Sequence, residues 1–440
     1  MSGIFKAYDI RGIYGQTLNE DLAERIGRAY VSLVKCKSVA VGRDMRPHSK
    51  PLFDALCKGL TGQGADVIDL GLCSTPMSYH ACATLQAGGG IMITASHNPG
   101  EYNGFKLSRA MAVPISGSTG IAEIEKMVGS NAFDPAPAKP GRVTRHDPLP
   151  AYRANVQALA ALKRPVRIVA DYANAMGIVE AQALSGLLEI KPLFDKMDGT
   201  FPNHEANPLN TETLEALRHE VRAGKYDFGV AFDGDADRVG FVDETGAVVP
   251  MDMTTALIGR ELLAKEKGVV LYDLRSSWAV REVISEGGGT PMMSRVGHSF
   301  IKQQMREHNA VFAGELSGHY YFRKNFFTES SSMATLCVAN LVSRTGRPLS
   351  EHVRPLRRYH ASGEINSMVA DPAAVMARLR DRYADGRMVA LDGVSVEYDD
   401  WWFNVRASNT EPFVRLNLEA KAAEVMARRR DELLSVIRAK

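Results

Sequence analysis

The chain has 440 residues, with 53 Lys+Arg against 51 Asp+Glu and a formal net charge of +2. That length suggests about three domains at ~100–200 residues each. The near balance of charge excludes a nucleic-acid binder that works through bulk positive charge. Hydrophobic residues make up 45% and charged residues 24%, an ordinary globular composition. No apolar run approaches the ~18 residues a membrane helix needs, so no membrane is expected as a partner. The start shows no basic segment followed by an apolar one, so no secretory leader is expected. The five cysteines form no C-x-x-C pair, which predicts free thiols and a cytoplasmic location rather than zinc or disulfides.

In chain order, apolar runs at 39–44, 91–96, 166–171, 228–233, 269–273 and 311–315 each end in polar or glycine-containing turns. Runs without polar alternation predict strands buried on both faces, hence parallel sheets covered by helices. Their polar ends mark the edge where open α/β sheets bind ligands. Prolines 135, 137, 140, 148 and 150 predict a linker over 131–150. Further breaks fall at the turn Thr245-Gly246 and near Arg358. Beyond them, 371–384 reads as helix, and 393–398 and 413–419 alternate like half-exposed strands. A charged helix starts near Ala422. The expected fold is α/β: three related units with mixed or parallel sheets at 1–142, 143–247 and 248–358, then an α+β unit at 359–440. The three units share a strand-turn-helix grammar without a close sequence repeat.

Four constellations at strand ends can carry chemistry. Asp233-Gly234-Asp235-Ala236-Asp237-Arg238 places carboxylates at alternate positions, able to turn oxygens toward one hard cation such as Mg²⁺. Three like charges crowded without a cation would destabilise the turn. An EF-hand is disfavoured, because the loop's sixth position lacks the required Gly. Thr94-Ala95-Ser96-His97-Asn98-Pro99 offers Ser96 as nucleophile or phosphate carrier, an N-cap serine being the plain alternative. Gly314-Glu315-Leu316-Ser317-Gly318-His319 gives two readers of sugar hydroxyls and a candidate acid or base. Arg406-Ala407-Ser408-Asn409-Thr410-Glu411-Pro412, with Arg415 behind it, suits a phosphate dianion.

These motifs, with Tyr8-Asp9-Ile10-Arg11-Gly12, resemble the α-D-phosphohexomutase superfamily and, within it, the phosphomannomutase/phosphoglucomutase group. The resemblance runs along essentially the whole chain, with all five motifs in the family's order. It implies four domains round a central cleft, the last resembling the TATA-binding-protein fold, each lending one loop. It implies a phosphorylated Ser96, with Asp233, Asp235, Asp237 and the phosphoserine as Mg²⁺ ligands. Glu315 and Ser317 would bind sugar hydroxyls, and Arg406, Ser408, Asn409, Thr410 and Arg415 would grip the non-reacting phosphate. Tyr8, Arg11, Asn98, Lys106, Arg238, Arg275, His298 and His319 would line the site. The activity implied is interconversion of hexose 1-phosphate and hexose 6-phosphate, of mannose, glucose or both, through hexose 1,6-bisphosphate. Lys106, His319 and Arg11 would share the proton work. A lysine among Mg²⁺, Arg11 and Arg238 is expected to have a depressed pKa.

Three segments depart from the pattern: Ala236 where Gly is expected, Arg275 where Lys is expected, and Ser330-Ser331-Ser332 where an acidic pair and Gly are expected. Phosphoglucosamine mutase is the nearest alternative, against which Asn409 and Leu316 speak. A Mg²⁺-dependent sugar-phosphate phosphatase would leave Ser96 and the Arg406 loop unexplained, and a mass shift of one phosphate on Ser96 would separate a mutase from both it and a non-catalytic sugar-phosphate binder. The sequence leaves open mannose against glucose and the oligomeric state.

Overall fold

The computed structural model describes residues 3–407 and 413–439. They form four sheets of seven, five, five and six strands. In the first, strand Ser38–Arg43 pairs in parallel with Asp66–Leu72 and Gly89–Ile93. Gly89–Ile93 then pairs antiparallel with Tyr102–Arg109. The second and third sheets repeat this arrangement. Phe228–Phe232 runs parallel to Arg167–Asp171 and antiparallel to Val239–Asp243. Phe312–Gly314 runs parallel to Val269–Asp273 and antiparallel to Tyr320–Phe322.

The sheets are therefore mixed. The strands before the serine, aspartate and glutamate loops are wholly buried, as their apolar runs require. Each of these loops, however, leads into an antiparallel strand and not into a helix. The strand-turn-helix reading fails here because the returning strand is also largely buried, so its sequence lacks alternation.

Two expected borders fall inside sheets. Val143–Arg145, within the proline-rich stretch, pairs with Asp66–Leu72 in the first sheet. Val248–Val249 pairs with Val239–Asp243 in the second. The fourth sheet has Trp401–Ala407 and Phe413–Ala420 antiparallel, with Arg406 opposite Arg415. His360–Ala361 lies at its edge. Strand Val394–Glu397 was expected to be half-exposed and is buried on both faces. Val394 and Val396 enter the core of the last unit, while Glu397 turns to Arg281 of the third at 3.1 Å.

One apolar cluster runs through the first three units, joining Leu70 and Met77 to Tyr152, Phe228, Val270 and Phe312. The last unit has a core of its own around Trp401, Phe403, Leu379 and Leu433. No helix among the described residues is long and apolar enough to cross a membrane.

Candidate active site

The common hairpin geometry brings the loops of the first three units to one point. Ser96 ends the run from Gly89–Ile93 and is 2% exposed. Its φ of 51° is left-handed. That conformation costs a non-glycine residue about 1–2 kcal/mol. Its amide donates to Thr94 Oγ1 at 2.9 Å. The hydroxyl donates to Asp233 Oδ2 at 2.8 Å and lies 3.3 Å from His97 Nδ1. Arg238 and burial together drive the His97 pKa down to about 2, so this imidazole is neutral. A Cβ at Gly234 would sit 2.1 Å from the Ser96 carbonyl oxygen, so a glycine is what lets the two loops touch. Ala236 holds φ 59° and is fully buried, with only a methyl to place.

Oxygens of Asp233, Asp235 and Asp237 lie within 4.8 Å of one another, and all three residues are buried. Asp235 Oδ1 is buried without a hydrogen-bond partner. Converging carboxylates with free lone pairs are the ligand set a hard divalent cation takes. The residues therefore fit a metal. Burial and the neighbouring Asp235 and Asp237 push Asp233 up to about 8. Thr75, from the first unit, donates to Asp235 Oδ2 at 2.5 Å.

Lys106 stands on the returning strand opposite Met92, and its Nζ reaches Asp235 Oδ2 at 2.6 Å and Asp237 Oδ2 at 2.5 Å. The expected depressed pKa is corrected here. Burial pulls it down, but Asp235 and Asp237 outweigh this and hold it well above the ordinary lysine value. Neighbouring carboxylates, more than Arg11 and Arg238, set its charge.

His319 links the second and third loops. Nε2 is 3.2 Å from Asp237 Oδ1, and Nδ1 is 3.3 Å from Glu315 Oε2. Burial pushes its pKa down, but Asp237 and Glu315 outweigh this and lift it to about 9. Arg238 Nε also approaches Nε2, at 3.3 Å. Ser317 Oγ lies 2.8 Å from Nδ1. Glu315 additionally accepts from Tyr321 and from the Gly297 amide at 3.1 Å. Burial raises its pKa, yet His319 and Tyr321 outweigh this and keep the carboxylate ionised. His298 is half-buried against the edge of the Tyr8 ring at 5.5 Å and is held well below the usual histidine range by desolvation and Lys302. Arg11 donates to Asn98 at 2.6 Å and pairs with Asp9.

The phosphate loop is described in part, since Ser408, Asn409 and Thr410 lie outside the described residues. Around it, sequence reading missed Glu364. This carboxylate gathers Arg406 at 3.2 Å, Arg415 at 3.3 Å, Asn417 at 3.4 Å and Arg275 at 3.6 Å. Arg275 also forks onto Asp273, with Nε to Oδ1 at 3.1 Å and a terminal nitrogen to Oδ2 at 2.8 Å. Asp273 Oδ2 accepts the Leu316 amide at 2.7 Å, which ties these arginines to the glutamate loop. Glu364 sits in an Ala-Ser-Gly-Glu stretch with no apolar strand before it, so strand-end logic could not find it.

Serines 330–332 join the units. Ser331 donates to the Ala236 carbonyl at 2.6 Å, and Ser332 donates its amide to Glu180 at 3.0 Å. Ser330 Oγ lies 2.7 Å from the Tyr152 hydroxyl. A carboxylate is nonetheless present nearby: Glu329, buried and paired with Lys302 at 2.8 Å.

An enzyme that handles phosphate groups accounts for a buried serine facing carboxylates under a guanidinium cluster. The domain families "Phosphoglucomutase/phosphomannomutase, alpha/beta/alpha domain" I, II and III match residues 2–134, 150–246 and 250–359, and the C-terminal domain family matches 364–436. A phosphomannomutase of Salmonella montevideo is 40% identical, covering 98% of each chain. Phosphohexose mutases of Xanthomonas campestris are 39% identical over 99% of each. A solved phosphoglucomutase/phosphomannomutase family protein of Burkholderia thailandensis superposes with TM-score 0.90 at 32% identity, covering 99% of this chain and 97% of its own. The chain belongs to the phosphoglucomutase/phosphomannomutase family. It is a mutase, a phosphohexomutase by class.

Proposed function

We propose that this mutase exchanges the phosphate of a mannose or glucose phosphate between O1 and O6, with Ser96 as the carrier and hexose 1,6-bisphosphate as the intermediate. The contact between Ser96 Oγ and Asp233 Oδ2 at 2.8 Å supports this reading most directly, because it sets the nucleophile at the candidate metal site. Phosphorylated Ser96 gives its phosphoryl group to a free sugar hydroxyl. The bond to Oγ breaks as the bond to the sugar oxygen forms, and the proton lost by the sugar hydroxyl is balanced by one gained at the freed Oγ. The bisphosphate turns round, and its other phosphate returns to Ser96. Asp233, Asp235 and Asp237 would hold Mg²⁺, which neutralises charge on the moving phosphoryl group.

Lys106 and His319, both held in their charged forms, stabilise negative charge and return the proton. Arg11 holds Asn98 beside the serine. Tyr8, Arg238 and His298 line the cleft, and Glu315 and Ser317 read hydroxyls. Arg275, Arg406 and Arg415, with Ser408, Asn409 and Thr410, grip the distal phosphate. That grip must accept both ends of the intermediate, so it reads the dianion rather than the sugar. We assign one loop to each of four units, 1–142, 143–247, 248–358 and 359–440, with strand Val143–Arg145 counted to the first and Val248–Val249 to the second. Five free cysteines suit a cytoplasmic enzyme.

The test is intact mass after incubation with glucose 1,6-bisphosphate, beside a coupled assay of mannose and glucose 1-phosphates. A gain of one phosphate located on Ser96, with turnover of either sugar, is expected. A phosphate found only elsewhere would overturn the carrier role.

A further inference from the structure

Arg46 has no place in the chemistry above, yet it is one of the most constrained side chains in the protein. It is 2% exposed and lies just past the strand Ser38–Arg43, at the same sheet edge as Ser96. A guanidinium has five N–H donors in a rigid planar fork, and here each has an acceptor. Nε donates to Asp44 Oδ2 at 3.2 Å. One terminal nitrogen donates to the carbonyls of Pro99 at 2.6 Å and Tyr102 at 3.0 Å. The other donates to the carbonyls of Ser96 at 2.9 Å and Asn98 at 2.6 Å. Four of the five bonds thus fall on the backbone of the serine loop.

The anchor is equally defined. Asp44 is buried and also accepts the Arg46 amide at 3.1 Å and the Ser49 hydroxyl at 2.5 Å. The Phe201 ring of the second unit covers the guanidinium at 5.0 Å. What the fork holds is a loop under strain, since Ser96 keeps a left-handed φ. Such a residue persists only where its surroundings over-determine it. The Ser96 carbonyl is fixed on one side by Arg46 and on the other by the close approach of Gly234.

We infer that Arg46 is a positioning residue for phosphoryl transfer: it locks the backbone of residues 96–102 so that the Ser96 hydroxyl faces the aspartate loop. All its donors are taken by Asp44 and the loop backbone, leaving none for substrate or metal. The inference rests on the reading of Ser96 as the carrier.

Arg46→Lys keeps the charge but replaces the planar fork with three donors at one point. A misplacement of about 1 Å costs on the order of 100-fold in turnover. The expected result is kcat lower by about 100-fold with KM for hexose 1-phosphate within about 3-fold, because the distal grip is unaltered. Asp44→Asn is the milder variant, keeping shape and an acceptor oxygen while weakening the anchor. In it the ³¹P resonance of phosphorylated Ser96 should shift and broaden, and kcat should fall with KM unchanged. Native kcat in both folded variants would overturn the inference. So would a fall in kcat that only tracks the fraction of folded protein, with an unchanged ³¹P signal. Ser96→Ala, measured in parallel, separates the two readings. If it retains turnover, the carrier role fails; if it is inactive while Arg46→Lys is normal, the positioning role alone fails.

Discussion

Asp233 is pushed up by burial and by two carboxylates, while Asp235 and Asp237 each have Lys106 as a counter-charge. An acid whose folded pKa is raised to about 8 keeps its proton where the unfolded chain has lost it, from about pH 4 upward. Metal-free protein should therefore lose stability between about pH 4 and 8, and added Mg²⁺ should raise Tm more at pH 8 than at pH 5. Asp233→Asn should remove both the pH slope and the metal response while leaving the fold intact. The pair Asp235→Asn with Asp237→Asn should destabilise, because it strands the Lys106 charge. Equal Mg²⁺ stabilisation at both pH values would contradict this account.

His319 carries a second prediction at the same scale. With its pKa lifted to about 9 by Asp237 and Glu315, it is an imidazolium at neutral pH and loses its proton as pH rises through that value. If the charged form acts, kcat should fall on the alkaline side near pH 9. His319→Gln should abolish that limb at low residual turnover, while Lys106→Arg, a cation for a cation, should keep it. A limb that moves in Lys106→Arg would return the proton work to Lys106.

At the level of elements, the repeated device is a parallel strand turning into an antiparallel one. The three aspartates and Ser96 were legible from sequence because each lies at the end of an apolar run. The hairpin itself was not, because a returning strand buried on both faces reads like any other apolar run. Lys106 was found but its charge state was misjudged, since the partners that set it lie 129 and 131 residues away. Glu364 shows the same limit in the last unit. It stands among Arg275, Arg406 and Arg415, where its negative charge would compete with a phosphate held as proposed. Glu364→Gln keeps the acceptor and removes the charge. KM for hexose 1-phosphate should fall about 3- to 10-fold at low ionic strength, and the gain should shrink as salt screens the cluster. A rise in KM would instead make Glu364 an orienting group that the arginines need.

Across the whole molecule, the division of the core decides what can move. One apolar cluster joins the first three units, beside a second core within the first, so they should behave as a single body. The fourth packs on its own core and meets the third through the Trp278 and Tyr359 rings at 5.5 Å and through polar contacts. The Trp278 amide and the Trp402 indole both donate to Glu419, at 2.9 and 3.1 Å, and Arg281 pairs with Glu397 at 3.1 Å. Interfaces of that kind permit relative motion, and closing a lid over a turning intermediate excludes water. The three tryptophans of the chain are Trp278, Trp401 and Trp402. All lie in the fourth unit or at its border, so their fluorescence reports on that unit while far-UV circular dichroism reports on all four. In urea, fluorescence should change at lower denaturant than circular dichroism, breaking two-state behaviour. Glucose 1,6-bisphosphate at 100 times its Kd should stabilise the early transition by about 2.7 kcal/mol, because in the proposed binding mode the distal phosphate would bridge the fourth unit to the others. Arg406→Ala should leave the early transition of the free protein near its native midpoint and erase the ligand shift, since it removes a phosphate contact and not a core residue. Coincident transitions in the two probes, or a ligand shift that survives in Arg406→Ala, would mean that the fourth unit is not the moving lid.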